Sequence, residues 1–191
     1  TGVHIILCGS GEEPVIPGKP GPGKLGKMFR RRLSLSELEE PLTLVLDHWR
    51  ARGGEDLACS WKLFEIQKLP PQVLPTTLVI DTYDDMSQNR FRYWGSRMTD
   101  IHGEDMTGKC PYEMSPRDFA ENLREQHREI RDGRKATADV LGFNHERGFI
   151  QAHSILRLPL SNDGRTVSQI VGVIWFTDET LKKFARENDV A

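Results

Sequence analysis

The sequence has few cysteines, no long apolar run and almost no excess of charge of either sign. Its cysteines, Cys8, Cys59 and Cys110, are far apart and form no Cys-x-x-Cys spacing, so a structural zinc site is not expected. Isolated thiols suit a reducing compartment, and we predict a cytoplasmic location. The longest apolar runs, near 3–8 and 170–176, fall well short of the roughly 18 residues that a membrane-spanning helix needs.

The balance of charges narrows the class of protein. The chain of 191 residues has 26 basic and 28 acidic side chains and a formal net charge of −2. Such a chain has no overall attraction to nucleic acid or to an anionic membrane surface, and we predict neither as a partner. Apolar residues make up 37% and charged residues 28%, which is typical of a globular domain with some disordered length. The first eight residues lack the basic start and long apolar centre of a signal peptide.

Proline and glycine indicate where the ordered part of the chain begins. Residues 12–26 read EEPVIPGKPGPGKLG, a composition that excludes helix and strand and predicts a flexible tail over 1–36. The basic run at 30–32 is interpreted as a solvated flank of this tail, not a nucleic-acid patch. The rest of the chain is divided into an N-terminal helix with a connector (37–75), a folded core (76–178) and a C-terminal helix (179–191).

One amphipathic helix is predicted before the core. Leu42, Val45, Leu46 and Trp49 stand at i, i+3, i+4 and i+7, the spacing of an apolar stripe along a helix. Such a stripe has to be buried, either against the domain or against a second copy of the chain.

The core shows five strand-like segments and two helical ones. Strands are predicted at 76–82, 90–94, 135–143, 149–160 and 167–176, and helices at 96–102 and from Ser115 to near Gly133. Because short turns link the strands within each group, the sheet is predicted to be antiparallel, and the fold to be α+β. In the second strand, strict alternation predicts that Phe91 and Tyr93 share one face and that Trp94 lies on the other.

The stretch FRYWGSRMTDIHGEDMTGK, residues 91–109, joins an aromatic strand to the helical insert. Gly95 lets the chain turn from strand to helix where a side chain would collide. Asp105 and Thr107 can hydrogen-bond to nearby backbone groups in the turns that follow. A phosphate cradle is not predicted, since Gly108-Lys109 lacks the preceding glycine of such a loop and is followed by Pro111.

These residues, together with Leu46-Asp47-His48-Trp49-Arg50 and Leu78-Val79-Ile80-Asp81, resemble a PAS domain over about 42–176. More narrowly, the chain resembles the PAS subfamily found as small stand-alone proteins in alphaproteobacteria. The resemblance implies a PAS-like five-stranded antiparallel sheet with short helices on one face, preceded by the amphipathic helix. It also implies a non-enzymatic sensory or protein-interaction module of a bacterial signalling pathway, which can take a small-molecule ligand.

The resemblance suggests where such a module would bind. PAS domains often enclose a ligand between sheet and helices, and the predicted ligand-binding residues are Tyr93, Trp94, Ile101, Leu123, His127 and Trp175. Since no kinase, helix-turn-helix or cyclase segment is recognised in the sequence, the signal is expected to pass to an unidentified signalling protein or through a homodimer. Flanking amphipathic helices are the usual PAS coupling device, so Leu42, Val45, Leu46 and Trp49 are the predicted dimer interface.

Two other functions are weighed against this one. Haem-binding PAS sensors carry an axial histidine on the long helix, where His127 lies, but a buried or half-buried histidine with one hydrogen-bond partner is the favoured explanation of this position. Light-sensing relatives bind flavin through Gly-x-Asn-Cys-Arg-Phe-Leu-Gln, and the surroundings of Cys110 lack most of that motif. No cofactor and no metal are therefore predicted. The other alternative is an enzyme on a cone-like α+β fold. It is not favoured, because the inner faces of the strands look apolar apart from Tyr93.

Overall fold

The computed structural model describes residues 25–115, 117–145 and 150–176. Within these ranges six strands form one antiparallel sheet with the order β1-β4-β5-β6-β2-β3. The strands are β1 (Leu25–Leu33), β2 (Thr77–Asp81), β3 (Arg90–Trp94), β4 (Thr137–His145), β5 (Ile150–Leu160) and β6 (Gln169–Trp175). The helices of the same ranges are α1 (Leu42–Arg50), α2 (Trp61–Phe64), α3 (Ser96–His102) and α4 (Arg117–Gly133). No helix in these ranges is long and apolar enough to cross a bilayer.

The predicted α+β class and the antiparallel PAS-like sheet are confirmed. The hairpin β2-β3 and the meander β4-β5-β6 are joined across the sheet by the pairing of β2 with β6, in which Val79 lies opposite Val171. The helices α3 and α4 lie between the two groups of strands in the chain. The insert therefore leads the chain from β3, at one edge of the sheet, to β4, which lies next to the edge strand β1 on the other side.

The sheet has one strand more than the sequence predicted. β1 lies inside the segment 1–36 that was interpreted as a flexible tail, and it pairs with β4 so that Arg32 lies opposite Asp139. A Ser34–Glu37 capping box then begins a short 3-10 turn. The prediction failed for residues 25–36 because this strand depends on non-local pairing, which a basic run without apolar alternation does not reveal. Residues 1–24 and the predicted helix 179–191 lie outside the described ranges.

Both faces of the sheet are covered. On one face α1 and the connector after it pack against side chains of β5 and β6, among them Leu156, Leu158 and Val171. On the other face α3 and α4 pack over Ile80, Ile155 and other residues of a second apolar cluster. The sheet is therefore the middle of three layers, and the helical insert lies on one side only.

The apolar stripe of α1 is buried in the chain's own core. Leu42, Val45, Leu46 and Trp49 are at most 2% exposed, and the Trp49 Nε1–H group donates a hydrogen bond to the carbonyl oxygen of Pro159, at 2.9 Å. Of the two partners that the sequence left open, the structure therefore selects the domain. The prediction that these four residues form a dimer interface is wrong, because fully buried side chains present no surface to a second copy. The homodimer itself stays a prediction.

A β-bulge changes which residues of β3 share a face. Val79 lies opposite Tyr93 and Ile80 opposite Phe91, so Arg92 is the extra residue of the strand. As a result Phe91 and Trp94 belong to the cluster under the helices, while Tyr93 packs on the α1 side. The prediction that Phe91 and Tyr93 share one face is therefore wrong, since strict alternation holds only in a strand without a bulge.

The turn at Gly95 has the predicted cause. A Cβ atom at Gly95 would lie 2.3 Å from the carbonyl oxygen of Pro75, and the Gly95 N–H group donates to the carbonyl of Thr77 at 2.9 Å. The carboxylate of Asp105 accepts a bond from the Thr107 backbone N–H at 2.8 Å. The stretch 91–109 is thus a structural device that sets the start of the insert.

Candidate functional site

A cavity of about 70 Å³ lies between the sheet and the helices α3 and α4. Most of its lining is apolar and comes from β2, β3, β5, β6 and the two helices. The lining residues on which the following description depends are Ile80, Phe91, Trp94, Met98, Ile101, His102, Met114, Asn122, Leu123, Gln126, His127, His153, Ile155, Arg157, Gly172 and Ile174. A water molecule occupies about 30 Å³ of the liquid, so the cavity has room for a small molecule or a few waters.

Four of the six residues predicted to bind a ligand line this cavity: Trp94, Ile101, Leu123 and His127. The other two lie on the opposite side of the sheet. Trp175 packs against the α1 side, and the Tyr93 hydroxyl donates to the carbonyl of Leu74 at 3.1 Å. The bulge in β3 explains why Tyr93 does not join Phe91 at the cavity. With Arg92 as the extra residue, Phe91 and Tyr93 lie on opposite faces, whereas strict alternation would put them on the same one.

His127 is a buried side chain of α4, only 2% exposed, with a definite hydrogen-bond partner. Its Nδ1 lies 3.0 Å from the Tyr112 hydroxyl, and that hydroxyl accepts a bond from the Asn89 amide at 2.8 Å. Burial, followed by the nearby charge of Arg157, lowers the pKa of His127 to about 3. Burial also raises the pKa of Tyr112 to about 12. At neutral pH the phenol therefore keeps its proton and can donate it to Nδ1 of a neutral imidazole, whose own proton is then on Nε2.

Two further histidines, His102 and His153, line the cavity. His102 stacks edge-on against Trp94, with ring centroids 4.9 Å apart, and burial lowers its pKa to about 4. His153 is 9% exposed, and burial with the charge of Arg157 lowers its pKa to about 3. The alternation of β5 explains this position: Leu156, Leu158 and Leu160 belong to the cluster on the α1 side, so the odd-numbered side chains, His153 among them, face the helices.

Arg157 is the charged group of the cavity lining, and sequence reasoning missed it. It lies on β5, is 1% exposed, and donates from Nη1 to Asp139 at 3.0 Å and from Nη2 to the side-chain oxygen of Gln126. Burial lowers its pKa to about 10, so it remains a cation at neutral pH. A single arginine inside an apolar strand pattern gives no hint of its partner, because Asp139 is reached only across the sheet.

Arg157 belongs to a larger charged cluster under α4. Asp139 is fully buried and also accepts hydrogen bonds or ion pairs from Arg30 and Arg32 of β1, at 3.0 and 2.9 Å. Glu129 of α4 pairs with the same two arginines, at 2.7 and 2.5 Å. The basic run that the sequence suggested to be a solvated flank thus ties the edge strand to the helix that covers the cavity.

The cavity is smaller than the sites that hold ligands of the size of a haem or a flavin. Cavities for ligands of that size are on the order of 300 Å³ or more, and this one is about 70 Å³. Cys110 is buried and is not among the residues that line it. In the described part of the chain, no cluster of three or more histidine, cysteine, aspartate or glutamate side chains could hold a metal ion.

The chain was compared with known proteins. No protein-family model matches it, and no curated protein matches it. Among solved structures, "VqmA bound to DPO" is similar with a TM-score of 0.43 and 18% identity, covering 58% of this chain and 56% of that one. "Structure of an RNA-binding Light-Oxygen-Voltage Receptor" is similar with a TM-score of 0.45 and 14% identity, over 90% of this chain and 45% of that one.

A third solved structure, "The dark structure of the blue-light photoreceptor Aureochrome1 LOV", has a TM-score of 0.42 and 12% identity, over 84% of this chain and 99% of that one. The present chain therefore spans only about half of the first two proteins, and nearly all of the third. All three TM-scores are below 0.5, and none of these likenesses bears on what this chain binds.

Proposed function

We propose that this chain is a non-enzymatic sensory module that binds a small molecule in the cavity between the sheet and the helices α3 and α4. The observation that supports the proposal is the cavity itself, an apolar space with a few polar groups from several elements. Such a combination is characteristic of small-molecule sites, in which apolar walls give affinity and a few polar groups fix orientation.

The chemistry of the lining favours recognition over turnover. The described residues that line the cavity include no carboxylate, hydroxyl or thiol side chain. Its histidines are neutral at pH 7, since burial holds the pKa values of His102, His127 and His153 at about 4, 3 and 3. An imidazole whose pKa lies that far below neutrality is a weak general base at physiological pH.

The finer features of the proposal concern subfamily, location and partners. We propose that the chain is a member of the alphaproteobacterial stand-alone PAS subfamily, which residues 91–109 resemble. We also propose a cytoplasmic location, which the free thiols of Cys59 and Cys110 support. Its output is proposed to pass to an unidentified signalling protein or to a second copy of the chain. Light scattering on the purified protein tests the homodimer: a monomer mass at micromolar concentration would contradict it.

A glycine in the cavity wall offers a direct test of binding. A Cβ atom at Gly172 of β6 would lie 3.9 Å from Ile155 and 4.0 Å from Leu78, which is ordinary contact. Alanine is therefore expected to be tolerated there, while the longer side chain of Gly172→Leu should fill much of the cavity. Gly172→Ala is the matched control, since it changes the same backbone position but leaves most of the space.

The measurement is the change in backbone amide resonances on addition of two neutral probes, isobutanol and benzyl alcohol. We expect wild type and Gly172→Ala to show shifts that saturate and centre on α3, α4 and β5, and Gly172→Leu to show none. Native mass spectrometry of freshly purified protein would reveal a ligand carried through purification. Equal shifts in Gly172→Leu, or no binding of any probe to the wild type and no carried ligand, would contradict the proposal.

A further inference from the structure

The charged cluster at one end of the cavity is not balanced. Arg30, Arg32 and Arg157 contribute three guanidinium groups, while Asp139 and Glu129 contribute two carboxylates. These are also the charged groups whose fields act on Arg157. The cluster therefore carries one positive charge in excess. The side chains of Arg30 and Arg32 are 28% and 43% exposed, whereas Arg157 is buried next to a wall that is otherwise apolar.

Arg157 is the member of the cluster that reaches the cavity. Arg30, Arg32, Asp139 and Glu129 are not among the lining residues, whereas Arg157 is. Within the part of the chain that the structure describes, its acceptors are Asp139 and Gln126, and each takes one N–H group. A guanidinium has five N–H groups, so three are left for a further acceptor.

A buried cation with spare donors strongly favours one chemical class of ligand. A neutral carbonyl could accept a hydrogen bond from Arg157. An anion would in addition compensate the charge of this buried guanidinium, which shares its carboxylate partner, Asp139, with two other arginines. A carboxylate matches the planar fork of a guanidinium, as a phosphate does, but at neutral pH it carries a single charge. A dianion would leave one negative charge among apolar side chains without a partner.

We propose that the ligand of this cavity is a small organic monocarboxylic acid, whose carboxylate meets Arg157 and whose apolar body lies among Ile80, Leu123 and Ile174. This inference rests on the proposed function and adds the ligand class to it. A cavity of roughly 150 Å³ holds benzene, so one of about 70 Å³ suits a short acid. Met98 and Met114 also line the space, and their flexible side chains can give way to a somewhat larger body.

The test compares each acid with its own amide, which has nearly the same shape and no charge. The probes are propionate, isobutyrate and benzoate against propionamide, isobutyramide and benzamide, with sodium chloride added to equalise ionic strength. Dissociation constants are measured from amide resonance shifts of the wild-type protein. Because a charge-assisted hydrogen bond contributes more than a neutral one, we expect the dissociation constant of each acid to be lower than that of its amide by a factor of about ten or more. The Nε–H resonance of Arg157, followed in arginine-labelled protein, should shift more with each acid at saturation than with the matching amide.

Two variants locate the preference. Arg157→Gln removes the cation from the cavity and should abolish the difference between acid and amide. Glu129→Gln is the matched control: it lies outside the lining, is 41% exposed at its side chain, and raises the excess charge by one. It should keep or strengthen the preference for acids. Should Arg157→Gln not fold, the wild-type comparison and the arginine resonance decide the question.

The outcomes separate this inference from the function on which it rests. Amides that bind as tightly as acids, or neutral alcohols that bind while acids do not, would overturn the carboxylate ligand and leave a small-molecule site. A preference for acids that survives in folded Arg157→Gln would also overturn it. If no probe of any kind binds the wild type and no ligand is carried through purification, both the inference and the proposed function fail.

Discussion

Replacing Asp139 by asparagine should destabilise the protein much more than replacing Glu129 by glutamine. Both carboxylates pair with Arg30 and Arg32, so the two substitutions remove the same charge from the same cluster. They differ in burial, since the side chain of Asp139 is 0% exposed and that of Glu129 is 41% exposed. Asp139 is also the carboxylate that pairs with the buried Arg157, at 3.0 Å.

The magnitude follows from that difference in exposure. Breaking a buried ion pair by removing one partner costs about 3–5 kcal/mol, because the remaining charge stays buried without compensation. A pair exposed to solvent contributes about 1 kcal/mol or less. Asp139→Asn is therefore expected to cost at least about 2 kcal/mol more than Glu129→Gln, a large part of the 5–15 kcal/mol by which a typical domain is stable.

Urea unfolding followed by circular dichroism measures both free energies at pH 7 and moderate salt. A third variant, Asp139→Leu with Arg157→Met, removes the buried pair as a whole and should cost less than Asp139→Asn alone, since no charge is left buried without a partner. Equal losses for Asp139→Asn and Glu129→Gln would refute the reasoning, and so would a double variant less stable than Asp139→Asn.

Three further predictions concern a turn, the core and the buried histidines. Gly95→Ala should destabilise the protein by about 2 kcal/mol or more, since its Cβ would lie 2.3 Å from a backbone carbonyl oxygen. Gly133→Ala is the control: nothing lies within 4 Å of its Cβ, and the free energy of unfolding should change by no more than about 0.5 kcal/mol. Equal unfolding midpoints for the two variants would contradict this. Trp49→Ala should lower the free energy of unfolding by about 3–5 kcal/mol, because it leaves a cavity in the core. Leu44→Ala on the same helix should lower it by about 1 kcal/mol or less, since that side chain is 44% exposed. A Trp49→Ala variant that loses a dimer but keeps its stability would contradict the burial of this side chain in its own domain. Burial lowers the pKa of His127 to about 3, so between about pH 6.5 and pH 3 the unfolded chain binds a proton on this side chain that the folded chain does not. The free energy of unfolding should therefore decrease as the pH is lowered through this range, by up to about 1.4 kcal/mol per pH unit. His127→Asn should reduce that slope by up to one proton in urea melts, and an unchanged slope would count against a neutral buried imidazole.

Several parts of the fold could be read from local patterns. The strands β2, β3, β5 and β6 and the helix α4 lie within one or two residues of their predicted bounds, because alternation, capping residues and turn residues act over short distances. The turn at Gly95 was likewise predictable from the steric freedom of glycine. Of the candidate site, this local information supplied Trp94, Ile101, Leu123 and His127, which lie on elements that were correctly placed.

The features that sequence reasoning missed all depend on contacts between distant segments. β1 is held by β4 more than a hundred residues later, and the bulge at Arg92 moves Tyr93 away from the cavity. The apolar stripe of α1 required a partner, and both the domain and a second copy satisfied its pattern equally. His153 and Arg157 gained their roles only when α4 covered that face of the sheet.

The amino-acid sequence by itself determined where strands, turns and helices form and which side chains are too apolar to stay in water. The tertiary structure alone decided that α1 closes its own domain, that a basic run becomes an edge strand, and that Arg157 meets Asp139 beside an apolar cavity. Local steric and hydrogen-bonding preferences depend only on residues that are neighbours in the sequence. The pairing of a buried charge and the face that a strand presents depend on register and packing, which no short stretch of sequence contains.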